Sequence, residues 1–394
     1  MRTRDAVEHA IRAWNQHEIN RGAPAVIDFD FFPPAGEPPA PVDRLGTFRR
    51  LNDLLHEIDE SAVVQRINAD LAYLRALIGE RPNLDEYVRA TQGCPAAGWS
   101  VDYATAKGDI ARGCLDALGV GWGETTAVDL AAMEGPLDAS DAPDAIRQAA
   151  ADYEPVVRRV TGTEAAYELT IEEADVDAYW AYWLEGAGQR VRLRLNTRDA
   201  SYTKTQARQF ALHEVLGHGL QSASIAARCA IEDVPWVRLS SVHGPQQVLL
   251  EGWAQAMPLF IAPDDEALVA RVRIDHYTQL VRAELHLAVN AGTPIEECAR
   301  HARARVPWWK DGHIADILAD RSTSPLLRTY MWAYVAGIDW FVNLADANTT
   351  ISRNVLHAAY QAPLTPADLE KLWPEGPAVG GAEDRIRRQN SAAS

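Results

Sequence analysis

Apolar positions recur at three- and four-residue spacing along most of this chain, the period of an amphipathic helix with one buried face. Phe48, Leu51, Leu54, Leu55 and Ile58 set one such seam, and Val63, Ile67, Leu71, Leu74 and Ile78 set another that stops at Gly79. The segment RVRLRL at 190–195 departs from that period. Val191, Leu193 and Leu195 fall on one side and Arg190, Arg192 and Arg194 on the other, which predicts a strand with one buried face. After Asn196 the helical period returns through Phe210, Leu212, Leu216 and Leu220, with Ser201 or Thr203 available as the N-cap. From Gln247 to Tyr360 nearly every stretch reads as helix, interrupted near Pro263, from Gly292 to Pro294, at Pro307 and at Ser324-Pro325.

Two stretches resist either period. PPAGEPPAP at 33–41 cannot lie inside a helix. The run from Glu134 to Ala145 mixes Gly, Pro, Asp and Ser and reads as a surface connection. The expected organisation is therefore an N-terminal arm and proline-rich linker (1–43), an N-terminal helical region (44–180), a region built around the strand and its following helices (181–376), and a disordered C-terminal tail (377–394).

Composition narrows the class. With 394 residues, 47% hydrophobic and 24% charged, the chain can bury a large core. Its formal charge of -17 argues against nucleic acid or an anionic membrane surface and for a peptide or small-molecule partner. The basic N-terminus is followed by no apolar leader segment, and no long apolar run occurs, so a cytoplasmic location is expected. Cys94, Cys114, Cys229 and Cys298 lie far apart and read as reduced thiols that ligate nothing.

The chemistry lies in FALHEVLGHGLQ, where His213-Glu214 is followed by His218. Histidines four apart sit about 40° apart around a regular helix and can share a metal; five apart they diverge by about 140°. A local widening such as a π-type turn would absorb the extra residue, and Gly217 would tolerate it. The dipeptide also occurs at His17-Glu18 and His56-Glu57, but neither is followed by a second histidine at four or five residues. Downstream, VLLEGWAQAMPLF sets Glu251 in an apolar run, where a buried carboxylate needs a cation. Two imidazoles, one carboxylate and an open fourth position suit a single Zn2+, which lowers the pKa of bound water to about 7. Glu214 is placed to take the proton.

HEVLGHG resembles the HELLGHG motif of dipeptidyl-peptidase III, a gluzincin zinc peptidase, and its spacing is similar to that of the HExxxH tyrosine carboxypeptidases. The longer pattern HEVLGHGLQ with EGWAQ is still more similar to a bacterial metallopeptidase-like family marked by HExxPGHxxQ and EGWA, although this chain lacks one residue and the proline of that version. The resemblance covers residues 190–345. It implies His213, His218 and Glu251 as ligands and Glu214 as general base. SPLLRTYMWAY resembles a further segment of that family, which implies Tyr330 as the donor to a developing oxyanion, with His243, Tyr334 and Arg328 behind it. Arg282 and Arg328 are the guanidinium candidates for a substrate carboxylate. Gln255 could assist Glu251 from one turn on, or be an ordinary helix residue. Trp308-Trp309 could line a cleft or simply pack.

The expected fold is mainly α: a helical, two-lobed metallopeptidase-like architecture with a small β-sheet beside the metal-binding helix and a central cleft. The expected function is zinc-dependent hydrolysis of peptide or small amide bonds. Two rivals share the site: a metal-dependent tailoring enzyme acting on a non-peptide metabolite, with iron or manganese in place of zinc, and a non-catalytic binding module. Glu214 beside His213 speaks against the last, because metal binding alone has no need of that carboxylate.

Overall fold

The structure is a computed structural model, and it describes residues 3–175, 182–196, 198, 202–347 and 350–381. The protein is mainly α with a small mixed sheet. The strands are β1 (Phe29–Asp30), β2 (Pro136–Leu137), β3 (Glu168–Ala174), β4 (Tyr182–Ala187), β5 (Arg190–Asn196), β6 (Tyr202–Thr203) and β7 (Leu239–Ser240). Among the described residues five of them form one sheet in the order β3-β5-β4-β1-β7, and β2 pairs with β6 in a short ribbon. β3 runs parallel to β5, and β4 antiparallel to it. β1 runs parallel to β4 and antiparallel to β7.

The period-two segment forms β5 as its alternation requires. Val191, Leu193 and Leu195 are buried, while Arg190 and Arg192 face solvent. The two early helical seams become helices Arg44–Leu55 and Ser61–Ile78, the second ended by Gly79 in a left-handed conformation (φ 118°). Breaks fall where the prolines and glycines put them, between helices Pro258–Ile261, Glu266–Asn290, Ile295–Arg305, Asp311–Thr323 and Leu327–Ala347.

The N-terminal segment differs from the expected arm. Residues Thr3–Asn20 form a helix whose Val7, Ile11 and Trp14 are fully buried against Leu51, Leu54, Val63 and Ile67. The chain then enters the sheet as β1, between β4 and β7. The proline-rich stretch 33–41 is without helix or strand. Three of the four sequence segments consequently share one sheet: β1 comes from the first, β3 from the second, and β4, β5 and β7 from the third. Of the expected tail, residues 382–394 lie outside the described residues, whereas Val379 is buried and Gly381 forms a bridge with Gly98.

A large core gathers Trp253, Trp332, Trp340 and Phe341 with Leu193, Leu212, Leu216 and Leu220. Helix Gln247–Ala256 crosses that core and has every residue buried, so it is apolar on all sides except at Glu251 and its glutamines. It lies against helix Leu327–Ala347 at a glycine pair. A Cβ on Gly252 would stand 2.4 Å from the Cα of Gly337, and one on Gly337 would stand 2.4 Å from the carbonyl oxygen of Val248. The two backbones touch there, and only residues without side chains permit it. None of the helices among the described residues is long and apolar enough to cross a membrane.

Candidate metal centre

Thr203 starts the metal-motif helix through a capping box: its hydroxyl accepts from Gln206 N at 3.0 Å, and the Gln206 side chain accepts from Thr203 N at 3.0 Å. Ser201, the other expected cap, lies outside the described residues. Helix Lys204–Phe210 then widens into a π-helix over Ala211–Leu220 before returning to α over Gln221–Ile231. A π-turn closes i to i+5. That repeat is the separation of His213 and His218, so the two imidazoles face the same way. Their Nε2 atoms are 3.2 Å apart and their rings are perpendicular.

Gly217 serves this arrangement differently from the expectation of backbone tolerance, for it has no positive φ. A Cβ there would lie 2.8 Å from the Leu212 carbonyl oxygen and 2.9 Å from the Cβ of Ala254. Its smallness lets the π-helix approach helix Gln247–Ala256. The approach brings Glu251 Oε2 to 3.5 Å from His213 Nε2 and 3.7 Å from His218 Nε2. Ligand atoms of His213, His218 and Glu251 all lie within 4.8 Å of one another.

The electrostatics of the cluster are those of a cation site. Oε2 of Glu251 is buried and receives no hydrogen bond. Burial would raise the Glu251 carboxyl, but the two imidazoles outweigh it and hold the group well below the usual carboxylate range. Burial pulls His218 down, and the adjacent Glu251 carboxylate more than reverses that, leaving it raised. A buried carboxylate oxygen without a donor, facing two imidazole nitrogens, fits a divalent ion with two nitrogen ligands and one oxygen ligand. Glu214 is 3% exposed, with Oε1 at 3.5 Å from His213 Nε2. Burial, aided by Glu251, raises its pKa above the ordinary value despite the opposing imidazoles.

Tyr330 is also at the site, with its hydroxyl donating to Oε1 of Glu251. Burial and the Glu251 charge raise that phenol well above its usual pKa, so it remains a donor. Tyr334 in turn donates to the Tyr330 oxygen at 3.2 Å. The sequence expectation for Tyr330 was a donor to substrate, whereas in this geometry its proton is directed at the expected ligand carboxylate. Gln255 Nε2 bonds the Glu251 backbone oxygen at 3.1 Å, a tie within its own helix. Removing the hydroxyl with Tyr330→Phe is expected to weaken metal binding by about 10–100-fold, the usual effect of losing a group that orients a ligand. Competition with a chromogenic chelator measures this, and an unchanged affinity would remove Tyr330 from that role.

The remaining candidates lie in other networks. His243 bonds Asp70 through Nε2 at 2.7 Å and stacks on Tyr73, in a buried group that also holds Arg66. Arg328 is bonded to Asn290 and the Pro82 carbonyl. Arg282 sits near the Trp309 ring with Nη2 at 3.5 Å from His313. Trp308 packs edge-on against Trp122. Sequence reading missed Asp28, whose carboxyl feels the charges of Glu251 and His218, and Gly337, which seats helix Gln247–Ala256. Neither carries a local signal, since each acquires its role from a residue far away in the chain.

No family model matches this chain, and no curated protein matches it. Among solved structures it is similar to a protein assigned as a lipoprotein from Colwellia psychrerythraea, with a TM-score of 0.54 and 12% identity over 83% of this chain and 58% of the other. The chain thus spans less than two thirds of that structure, and the likeness is one of fold alone. An M32 carboxypeptidase from Deinococcus radiodurans aligns with 96% of this chain and 76% of its own, at 14% identity and a TM-score of 0.34.

Proposed function

We propose that this protein is a zinc-dependent hydrolase of the gluzincin kind that cleaves peptide or small amide bonds, with His213, His218 and Glu251 holding one ion and Glu214 as general base. The observation that carries the reading is the meeting of three ligand atoms from two helices around a buried carboxylate oxygen that lacks a donor. A Zn2+ ion held by three protein ligands supplies a Lewis acid and makes water acidic enough to be a nucleophile near neutral pH.

The chain's own residues do the rest. Glu214 receives the proton of the attacking water, and its raised pKa makes it a stronger base than an exposed glutamate. The same carboxyl can then return that proton to the leaving amine. Tyr330 fixes Oε1 of Glu251 and leaves Oε2 directed at the imidazoles. Among the rivals, a purely structural metal gives no task to a buried carboxyl at Glu214, and that supports hydrolysis over binding alone.

The test is turnover on pools of short peptides with free and blocked termini, before and after chelation. Cleavage that disappears with chelator and returns with Zn2+ is expected. Cleavage indifferent to chelator would overturn the reading, and metal binding without cleavage of any amide would transfer the site to non-peptide chemistry.

A further inference from the structure

Asp28 lies just before β1, its backbone fixed on both sides: its N–H donates to the Ser240 carbonyl at 3.0 Å, and its carbonyl accepts from Gly186 N–H at 3.2 Å. The sheet therefore builds this position. Both carboxyl oxygens are buried, and neither has a hydrogen-bond partner. The charged groups close enough to act on it are Arg66, Glu251, Glu185 and His218. Arg66 is already committed to Asp70, the Leu239 carbonyl and Ser241 Oγ. Glu185 pairs with Arg192, and Glu251 and Glu185 both repel a second carboxylate. Burial, with those two charges adding to it, raises the Asp28 pKa well above the usual range.

A buried carboxyl with two unused acceptor atoms is costly unless a donor reaches it, and none of the neighbouring side chains does. β4, to which Asp28 is tied through Gly186, packs against the π-helix that carries His213 and His218, so Asp28 adjoins the candidate metal centre. We infer that Asp28 is the recognition site for a primary ammonium group of the substrate, such as the free amino terminus of a short peptide. An ammonium supplies the donors and the charge that the two Asp28 oxygens lack, and the neighbouring Glu185 adds favourable field. Under this inference, which rests on the hydrolase reading, the enzyme is an exopeptidase or amine-substrate amidase. Peptides with acetylated amino termini are poor ligands.

The test uses the full-length, zinc-loaded Glu214→Gln protein, in which binding is read without turnover. Dipeptide pools with free amino termini, the same pools acetylated, and acetylated pools containing lysine are compared by competition binding, with and without Asp28→Asn. The free pool is expected to bind at least about tenfold tighter than the acetylated pool, and Asp28→Asn to erase the difference. Rescue of acetylated pools by lysine alone would assign the site to a side-chain amine in place of the amino terminus. Zinc content should stay at one ion in Asp28→Asn, and its thermal midpoint should equal or exceed that of the parent, because a buried acid without a partner adds no stability. A free-to-acetylated affinity ratio within twofold without Asp28→Asn, or no detectable binding of the free pool to the zinc-loaded protein, would overturn the inference. So would a second equivalent of metal that is lost with Asp28→Asn, or a marked drop in its midpoint. Failure of the hydrolase reading shows separately, as absence of metal or of chelator-sensitive turnover in the unaltered protein.

Discussion

Glu214→Gln is expected to keep its metal and to lose about 10²–10⁴-fold in kcat, the range attributed to a positioned general base. The amide matches the carboxylate in volume, so the packing around Val215 and Leu216 should be undisturbed. What it cannot do is accept a proton. Glu214 is buried within reach of His213, and its raised pKa suits it to the proposed role of base, while His213, His218 and Glu251 are the proposed ligands. Steady-state kinetics paired with metal content on the same preparation separate the two roles. Turnover close to that of the parent would remove Glu214 as the base, and loss of metal would make it a structural member of the cluster.

Gly252→Ala should be severely destabilising. The new Cβ would meet the Cα and carbonyl carbon of Gly337 at 2.4 Å, and backbone atoms in the middle of a buried helix cannot turn aside as a side-chain end could. Overpacking of this kind is expected to reduce stability by about 3 kcal/mol or more. Because Glu251 precedes Gly252 and Tyr330 sits on the opposing helix, the same displacement should also lower zinc affinity. Gly113→Ala provides the contrast: Gly113 lies in helix Val101–Ala117 with nothing within 4 Å of its would-be Cβ, and it should gain about 0.4–1 kcal/mol. Urea unfolding of the two variants checks the pair. Equal stabilities would mean that the helices do not meet at Gly252 and Gly337.

Much of this fold is written locally. Val191, Leu193 and Leu195 alternate because one face of β5 is buried, and that alternation is readable without a structure. Glu251 stands out because it is a lone charge in an apolar run. The spacing of His213 and His218 already demands a distorted turn, and a π-helix spans both. The N-terminal helix is less legible, since Val7, Ile11 and Trp14 are flanked or separated by charged residues, among them Arg4, Glu8 and Arg12, that are themselves largely covered by ion pairs. β1 is two residues long and pairs with strands more than 150 residues away, beyond any periodic signal. Asp28 and Gly337 are illegible for the same reason: their surroundings are made by tertiary contact. The bond from Tyr330 to Glu251 is illegible on the same account, because only the packing of its helix against Gln247–Ala256 brings the hydroxyl to that carboxylate.

The central claim is that two imidazoles on a π-turn and one carboxylate from a later helix bind a single divalent ion. Metal analysis of the unaltered protein beside His213→Ala, His218→Ala and Glu251→Ala, each purified without added metal and then titrated with Zn2+, tests it most directly. The account predicts about one ion per chain in the unaltered protein, with affinity collapsing in every one of the three variants. Binding that survives in any of them at full affinity, or an unaltered protein that takes up no zinc at all, would contradict it.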